Sequence, residues 1–185
     1  MVRTTTPECE IGRAAPDFDL PGTDGRRHAL ASVRGPKGLV VMFICNHCPY
    51  VQAILPRLLE DARTLAGEGV ASVAIMSNDP VDYPEDRWEE MVRIAQERDF
   101  PFPYLLDESQ QVALAYGAVC TPDFFGFDAD LHLQYRGRLD ASNKAAAPAD
   151  APRELVEAMR LVIATGKGPA NQYPSIGCSI KWRGA

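Results

Sequence analysis

The chain has 185 residues, 46% of them hydrophobic and 24% charged, with a formal net charge of −6. That length fits one domain around one sizeable core, residues 1–185, and the composition is that of an ordinary globular protein. No basic block exists to neutralise phosphates, so nucleic acid is not expected as a partner. The longest apolar run is about seven residues, against the roughly 20 that cross a bilayer, so no membrane is expected either.

The opening "MVRTTTPECEIG" lacks an apolar signal segment. The five cysteines, Cys9, Cys45, Cys48, Cys120 and Cys178, are odd in number and irregular in spacing, unlike a secreted disulfide framework. Both features point to the cytoplasm. Residues 1–10 are expected to be a flexible leader.

In chain order, "DFDL" and "RHAL" flank "PGTDGR" and predict a hairpin turning at Asp24-Gly25. "GLVVMFI" (38–44) is continuously apolar and β-branched, as a strand buried on both faces is. From Pro49 the period changes: Val51, Leu55, Leu58, Ala62 and Leu65 line one face of a helix to about Gly67, with a kink expected at Pro56. "VASVAIMS" (70–77) predicts a second buried strand. "PEDRWEEMVRIAQERD" predicts a helix with Pro84 and acidic residues in its first turn. "YLLD" is a short strand, and "ESQQVALAYG" a short helix capped by Gly117. "AVCTPDFFGFD", the turn "ADLH" and "LQYRGRLD" read as a loop followed by an antiparallel pair. "PRELVEAMRLVIATGKG" is the last helix, and the tail, residues 169–185, has no clear period. Strands alternating with helices imply a parallel core, to which the closing hairpin adds antiparallel strands.

The chemistry concentrates in "CNHCPY", residues 45–50. If the strand ends at Ile44 and the helix begins near 46–48, Cys45 lies where free backbone N–H groups and the helix dipole favour an anion. Such thiols have pKa values of roughly 3.5–7.5 against about 8.5 unperturbed. Cys48 is nearly one turn further on, within reach of Cys45. Cys45 is then the expected nucleophile on a substrate disulfide, Cys48 the resolving thiol, and His47 a group that stabilises the thiolate. Two buried thiols used as small hydrophobes are the plain alternative. A metal site is a third reading, but no second CxxC or HxxxH completes four ligands, and His28 and His132 stand alone. No metal and no cofactor are expected.

A strand, a CxxC at a helix start and a later Thr-Pro before a hairpin resemble the thioredoxin-like fold. "IGRAAPDFDLPGTDGRRHALASVRG" resembles the opening of the alkyl hydroperoxide reductase/thiol-specific antioxidant superfamily. "CNHCPYV", "VCTPDFFGFD", "YRGRLD" and "GCSIKW" resemble a peroxiredoxin-like group within it. The resemblance spans residues 11–183. It implies a three-layer α/β/α domain with a central mixed sheet and an N-terminal β-hairpin extension. It also implies a thiol-disulfide oxidoreductase with antioxidant relatives, a disulfide-containing protein or small thiol/disulfide as substrate, and a reducing or oxidising partner. By position it makes Pro122 a cis-proline, with the Thr121 backbone open to an extended substrate segment beside Cys45.

Departures from the pattern are specific. Peroxiredoxins carry PxxxTxxC, where the matching positions here are Val41, Cys45 and Cys48. Thioredoxin's Trp, Gly-Pro and buried Asp are replaced by Ile44, Asn46-His47 and Leu39, which leaves His47 or water as the expected base for Cys48. Peroxide reduction through Cys45, and a metal-binding or interaction module without turnover, remain alternative functions. Side-chain alternation turns Cys120 away from the pair. Cys178, in the glycine-containing "SIGCSIKW", is a possible third thiol if the tail folds back, and Cys120 a more remote one.

Overall fold

The computed structural model describes residues 3–7 and 10–184. Cys9 lies outside the described residues. In chain order the elements are β1 (Arg3–Thr5), β2 (Asp19–Pro21), β3 (Arg27–Ala29), α1 (Leu30–Val33), β4 (Gly38–Phe43), α2 (Pro49–Gly67), β5 (Val70–Met76), a 3₁₀ turn (Pro84–Asp86) and α3 (Trp88–Glu97). These are followed by β6 (Tyr104–Leu106), α4 (Gln111–Tyr116), β7 (Cys120–Thr121), β8 (Asp123–Phe127), β9 (Leu133–Gly137), α5 (Glu154–Thr165) and β10 (Ile176–Ser179).

The central sheet runs β6-β5-β4-β8-β9. β4, β5 and β6 are parallel, while β8 and β9 add antiparallel strands on the other side. Every residue of β4 is buried, which is why its sequence is unbroken apolar rather than alternating. Alternation along the strand still sorts the side chains into two layers. Val40, Met42 and Ile44 pack with α2, Met91 of α3 and α5, whereas Leu39, Val41 and Phe43 pack with α1, α4 and the β2–β3 hairpin. Each buried Val, Leu or Phe contributes roughly 1.5–3 kcal/mol of transfer free energy, and this pins the end of β4, with Cys45 just beyond it.

α2 continues through Pro56, which lies on its exposed face, where the carbonyl freed four residues back meets water. The helix expected from Pro84 is interrupted. Arg87 is extended (φ −64°, ψ 157°), so Pro84–Asp86 form a separate turn and α3 starts at Trp88. The break turns Asp86 inward to a fully buried position, where it bonds to the loop at 46–47.

Both chain ends differ from the expectation. Arg3–Thr5, read as part of a leader, form β1, and the tail contains β10. These two strands and β7 make a second sheet, β1-β10-β7, antiparallel throughout. The register sets Cys178 opposite both Arg3 and Thr121. Gly177 makes that packing possible, since a methyl group on its Cα would overlap the Thr121 carbonyl. Among the described residues no helix is long and apolar enough to cross a membrane.

Candidate functional site

α2 begins at Pro49, so Cys48, not Cys45, is its N-cap residue. Pro49 fits the first helical position because its missing N–H has no helical partner to lose. Cys45 lies in the short turn between β4 and α2. Both sulfurs are buried, Cys45 at 1% exposure and Cys48 at 0%.

The Thr121-Pro122 peptide bond is cis and faces the pair. Cys45 Sγ is 3.2 Å from Thr121 Oγ1, and Cys48 Sγ is 3.2 Å from the Thr121 carbonyl oxygen. The two thiols thus share Thr121 as a neighbour. Their electrostatics reverse the sequence expectation. Cys45 is pushed well above the ordinary thiol range by burial, by its bond to Cys48 and by the Asp86 charge. Cys48 is lowered to about 5 because Cys45 donates to it, with further hydrogen bonds from Cys178 and the Val51 and Cys178 backbones outweighing burial. The helix start adds a smaller share: Cys48 is the N-cap of α2, and the Val51 backbone N–H of the first turn is among the groups that favour its thiolate.

His47 faces Cys45, with Nδ1 3.7 Å from its Sγ, and so is not placed as the base for Cys48. Its Nδ1 is 2.6 Å from Asp86 Oδ2, and its ring stacks on Tyr83 at 4.1 Å. Asp86 is the residue the sequence did not single out. Its Oδ1 accepts the backbone N–H groups of Asn46 (2.7 Å) and His47 (3.2 Å), and its Oδ2 accepts from Asn78 Nδ2 (2.9 Å). Burial disfavours its charge, but the bonds from His47 and Asn78 outweigh that and hold the carboxyl below its usual range. The sign follows. Its contribution to folding is complete above the unfolded carboxylate pKa, about 3.9, and is lost as pH falls through the lower folded value. Asn78 in turn accepts the Lys181 backbone N–H at 2.9 Å, which ties the tail to the same chain of bonds.

Asp86→Asn keeps the shape of this anchor and removes its charge. Cys45 should then lose its proton more easily, and iodoacetamide should label it several-fold faster at pH 8. Unchanged labelling would leave Asp86 with an anchoring role only.

Cys45, His47 and Asp86 bring three possible metal-ligand atoms within 4.8 Å of one another. Both contacts of His47 are made by the same Nδ1, which bonds to Asp86 at 2.6 Å and stands 3.7 Å from the Cys45 sulfur, so the ring sits beside Cys45 without relaying a proton between the two. Cys120 is fully buried, with Sγ 3.7 Å from the Pro122 carbonyl, and its thiol is pushed up by burial and by Asp123. Cys178 is close to the pair: its Sγ is 3.0 Å from Cys48 Sγ. The Thr121 backbone, expected to be open to substrate, is instead paired with Cys178 of β10.

Residues 11–136 match the AhpC/TSA family. The chain belongs to that family. It is 42% identical to an uncharacterised conserved protein from Geobacillus kaustophilus, whose crystal structure superposes with a TM-score of 0.94 over 100% of this chain and 98% of that one. The thioredoxin domain of a thiol-disulfide oxidoreductase from Bacteroides vulgatus, 17% identical, superposes with a TM-score of 0.59 over 70% of this chain and 89% of that one, which shows the shared thioredoxin-like fold. The thiol-disulfide oxidoreductase ResA of Geobacillus thermodenitrificans is 30% identical over 118 residues, 64% of this chain, and the chain spans 63% of that relative's length.

Proposed function

We propose that the chain is a thiol-disulfide oxidoreductase in which Cys45 attacks a substrate disulfide and Cys48 resolves the mixed disulfide. The observation that carries this is the seating of both thiols on one residue beside the cis-proline, Cys45 Sγ against the Thr121 hydroxyl and Cys48 Sγ against the Thr121 carbonyl oxygen. No buried aspartate is needed as a base. The Cys48 thiolate takes the Cys45 proton as Cys45 attacks, so the pair is its own acid and base. The substrate sulfur leaves as a thiolate. Cys48 then gives up its proton and attacks Cys45 Sγ, and the second substrate sulfur departs with that bonding pair. Thr121 and Pro122 would border the path of the incoming disulfide, and an external dithiol would restore the pair. The cytoplasm, where thiols are kept reduced, suits this cycle.

In an insulin-reduction assay with dithiothreitol as donor, Cys45→Ser should abolish turnover. Unchanged turnover sinks the reading.

Membership of the AhpC/TSA family favours a second reading, reduction of a peroxide by Cys45. A peroxide would convert Cys45 to a sulfenic acid, and Cys48 would condense with it and release water. Stopped-flow mixing with hydrogen peroxide decides the matter, and a thiol no faster than free cysteine removes this reading.

A further inference from the structure

β10 lies where a substrate would lie. An extended disulfide-bearing segment pairing with Thr121 beside the cysteines is what the proposed activity calls for, and Ile176–Ser179 supplies that segment from within the chain. The residue opposite Thr121 is itself a cysteine, Cys178. Its sulfur is 3.0 Å from Cys48 Sγ, roughly 1 Å beyond the ~2.05 Å of a disulfide bond. Cys178 is 2% exposed, so the contact is made inside the protein. Gly177 lets the strand come this close, because any side chain there would meet the Thr121 carbonyl.

We propose that Cys178 is a third redox thiol of this site, and that Cys48 exchanges its disulfide partner between Cys45 and Cys178. This rests on the Cys45–Cys48 reading above. Once a substrate has oxidised that pair, the Cys178 thiolate attacks Cys48 Sγ. The Cys48–Cys178 bond forms as the Cys45–Cys48 bond breaks, and the bonding electrons leave on Cys45, which takes up the proton that Cys178 gave. The number of disulfides is unchanged and no net oxidation occurs. Cys45 is returned reduced beside His47. An external dithiol later reduces Cys48–Cys178 and becomes a disulfide itself.

The charges favour exchange at that stage and not before. Cys178 is pushed up to about 12, first by burial and then by its bond to Cys48 and the Cys48 charge, while Lys181 and Lys144 act the other way. Joining Cys48 to Cys45 removes the Cys48 charge and leaves the two lysines.

The test maps disulfides in the full chain by mass spectrometry after oxidation with glutathione disulfide and alkylation of the remaining thiols. Wild type should give both Cys45–Cys48 and Cys48–Cys178 peptides. Cys45→Ser, a one-atom change, should lose two thiols to a Cys48–Cys178 bond, and adding Cys178→Ala should restore Cys48 to the glutathione-bound form. The proposal is overturned if Cys45→Ser holds Cys48 only as a glutathione adduct or a free thiol while wild type forms Cys45–Cys48. The oxidoreductase reading survives that result. It fails separately if Cys45→Ser still reduces insulin.

Discussion

The midpoint potential of the Cys45–Cys48 pair should be less negative than the roughly −270 mV of thioredoxin and fall by about 30 mV per pH unit between pH 5 and 9. Both features come from the Cys48 thiolate, which Cys45 does most to favour. Cys48 is lowered to about 5, so across that window the reduced pair holds one proton, on Cys45. Reduction then takes up two electrons and one proton, and a tenfold change in proton activity moves a two-electron couple by 29.6 mV. Below about pH 5 both thiols are protonated and the slope doubles. The sign is that of a depressed group. The stabilisation of the reduced protein by Cys48 is complete above the unfolded thiol pKa, near 9, and is lost as pH falls through 5. A stabilised thiolate favours the dithiol, and so makes the disulfide more oxidising. Exchange of Cys48 between Cys45 and Cys178 leaves the slope unchanged, because Cys48 belongs to either disulfide. Equilibration with glutathione buffers from pH 4 to 9 measures the curve. A slope near 59 mV throughout would mean that no thiolate is held at Cys48.

Gly177→Ala should cost about 1–3 kcal/mol, the range for forcing atoms into a filled interior. For a chain of this length that is a fall in Tm of about 2–12 °C. The new methyl would meet the carbonyl carbon and oxygen of Thr121, and backbone atoms beside a proline ring have little room to give way. The same oxygen lies against Cys48 Sγ, so the strain falls on the redox site as well as on β10. Gly67→Ala is the matched control: nothing lies within 4 Å of its added carbon, and it ends α2, where alanine is if anything favourable. Thermal unfolding of the two variants should therefore separate them clearly. Equal melting would mean that β10 is not seated against Thr121.

Much of the centre was readable from the sequence because its cause is local. The unbroken apolar run at 38–44, the period change at Pro49 and the Gly117 cap each depend on neighbouring residues alone, and the structure places β4, α2 and α4 accordingly. The cis-proline became visible only through resemblance to known proteins. Three features were not legible. Asp86 is one acid among several in a helix-like stretch, and its partners in the cysteine loop, Asn46 and His47, lie 40 and 39 residues away. β10 is four residues long with a burial pattern that does not alternate, and it pairs with residues near both the start and the middle of the chain. The third concerns a single position: whether Cys45 or Cys48 caps the helix decides which sulfur carries the charge, and helix boundaries shift by one or two residues without any change in pattern.

The contact between Cys48 and Cys178 joins residues 130 positions apart. Ribosomes extend chains at about 5–20 residues per second, so Cys48 waits roughly 7–26 s for its β10 cover to be made. During that interval the nascent protein presents a reactive dithiol without the strand that will shield it. Synthesis order thus makes the unfinished chain more open to oxidants and mixed-disulfide partners than the finished one.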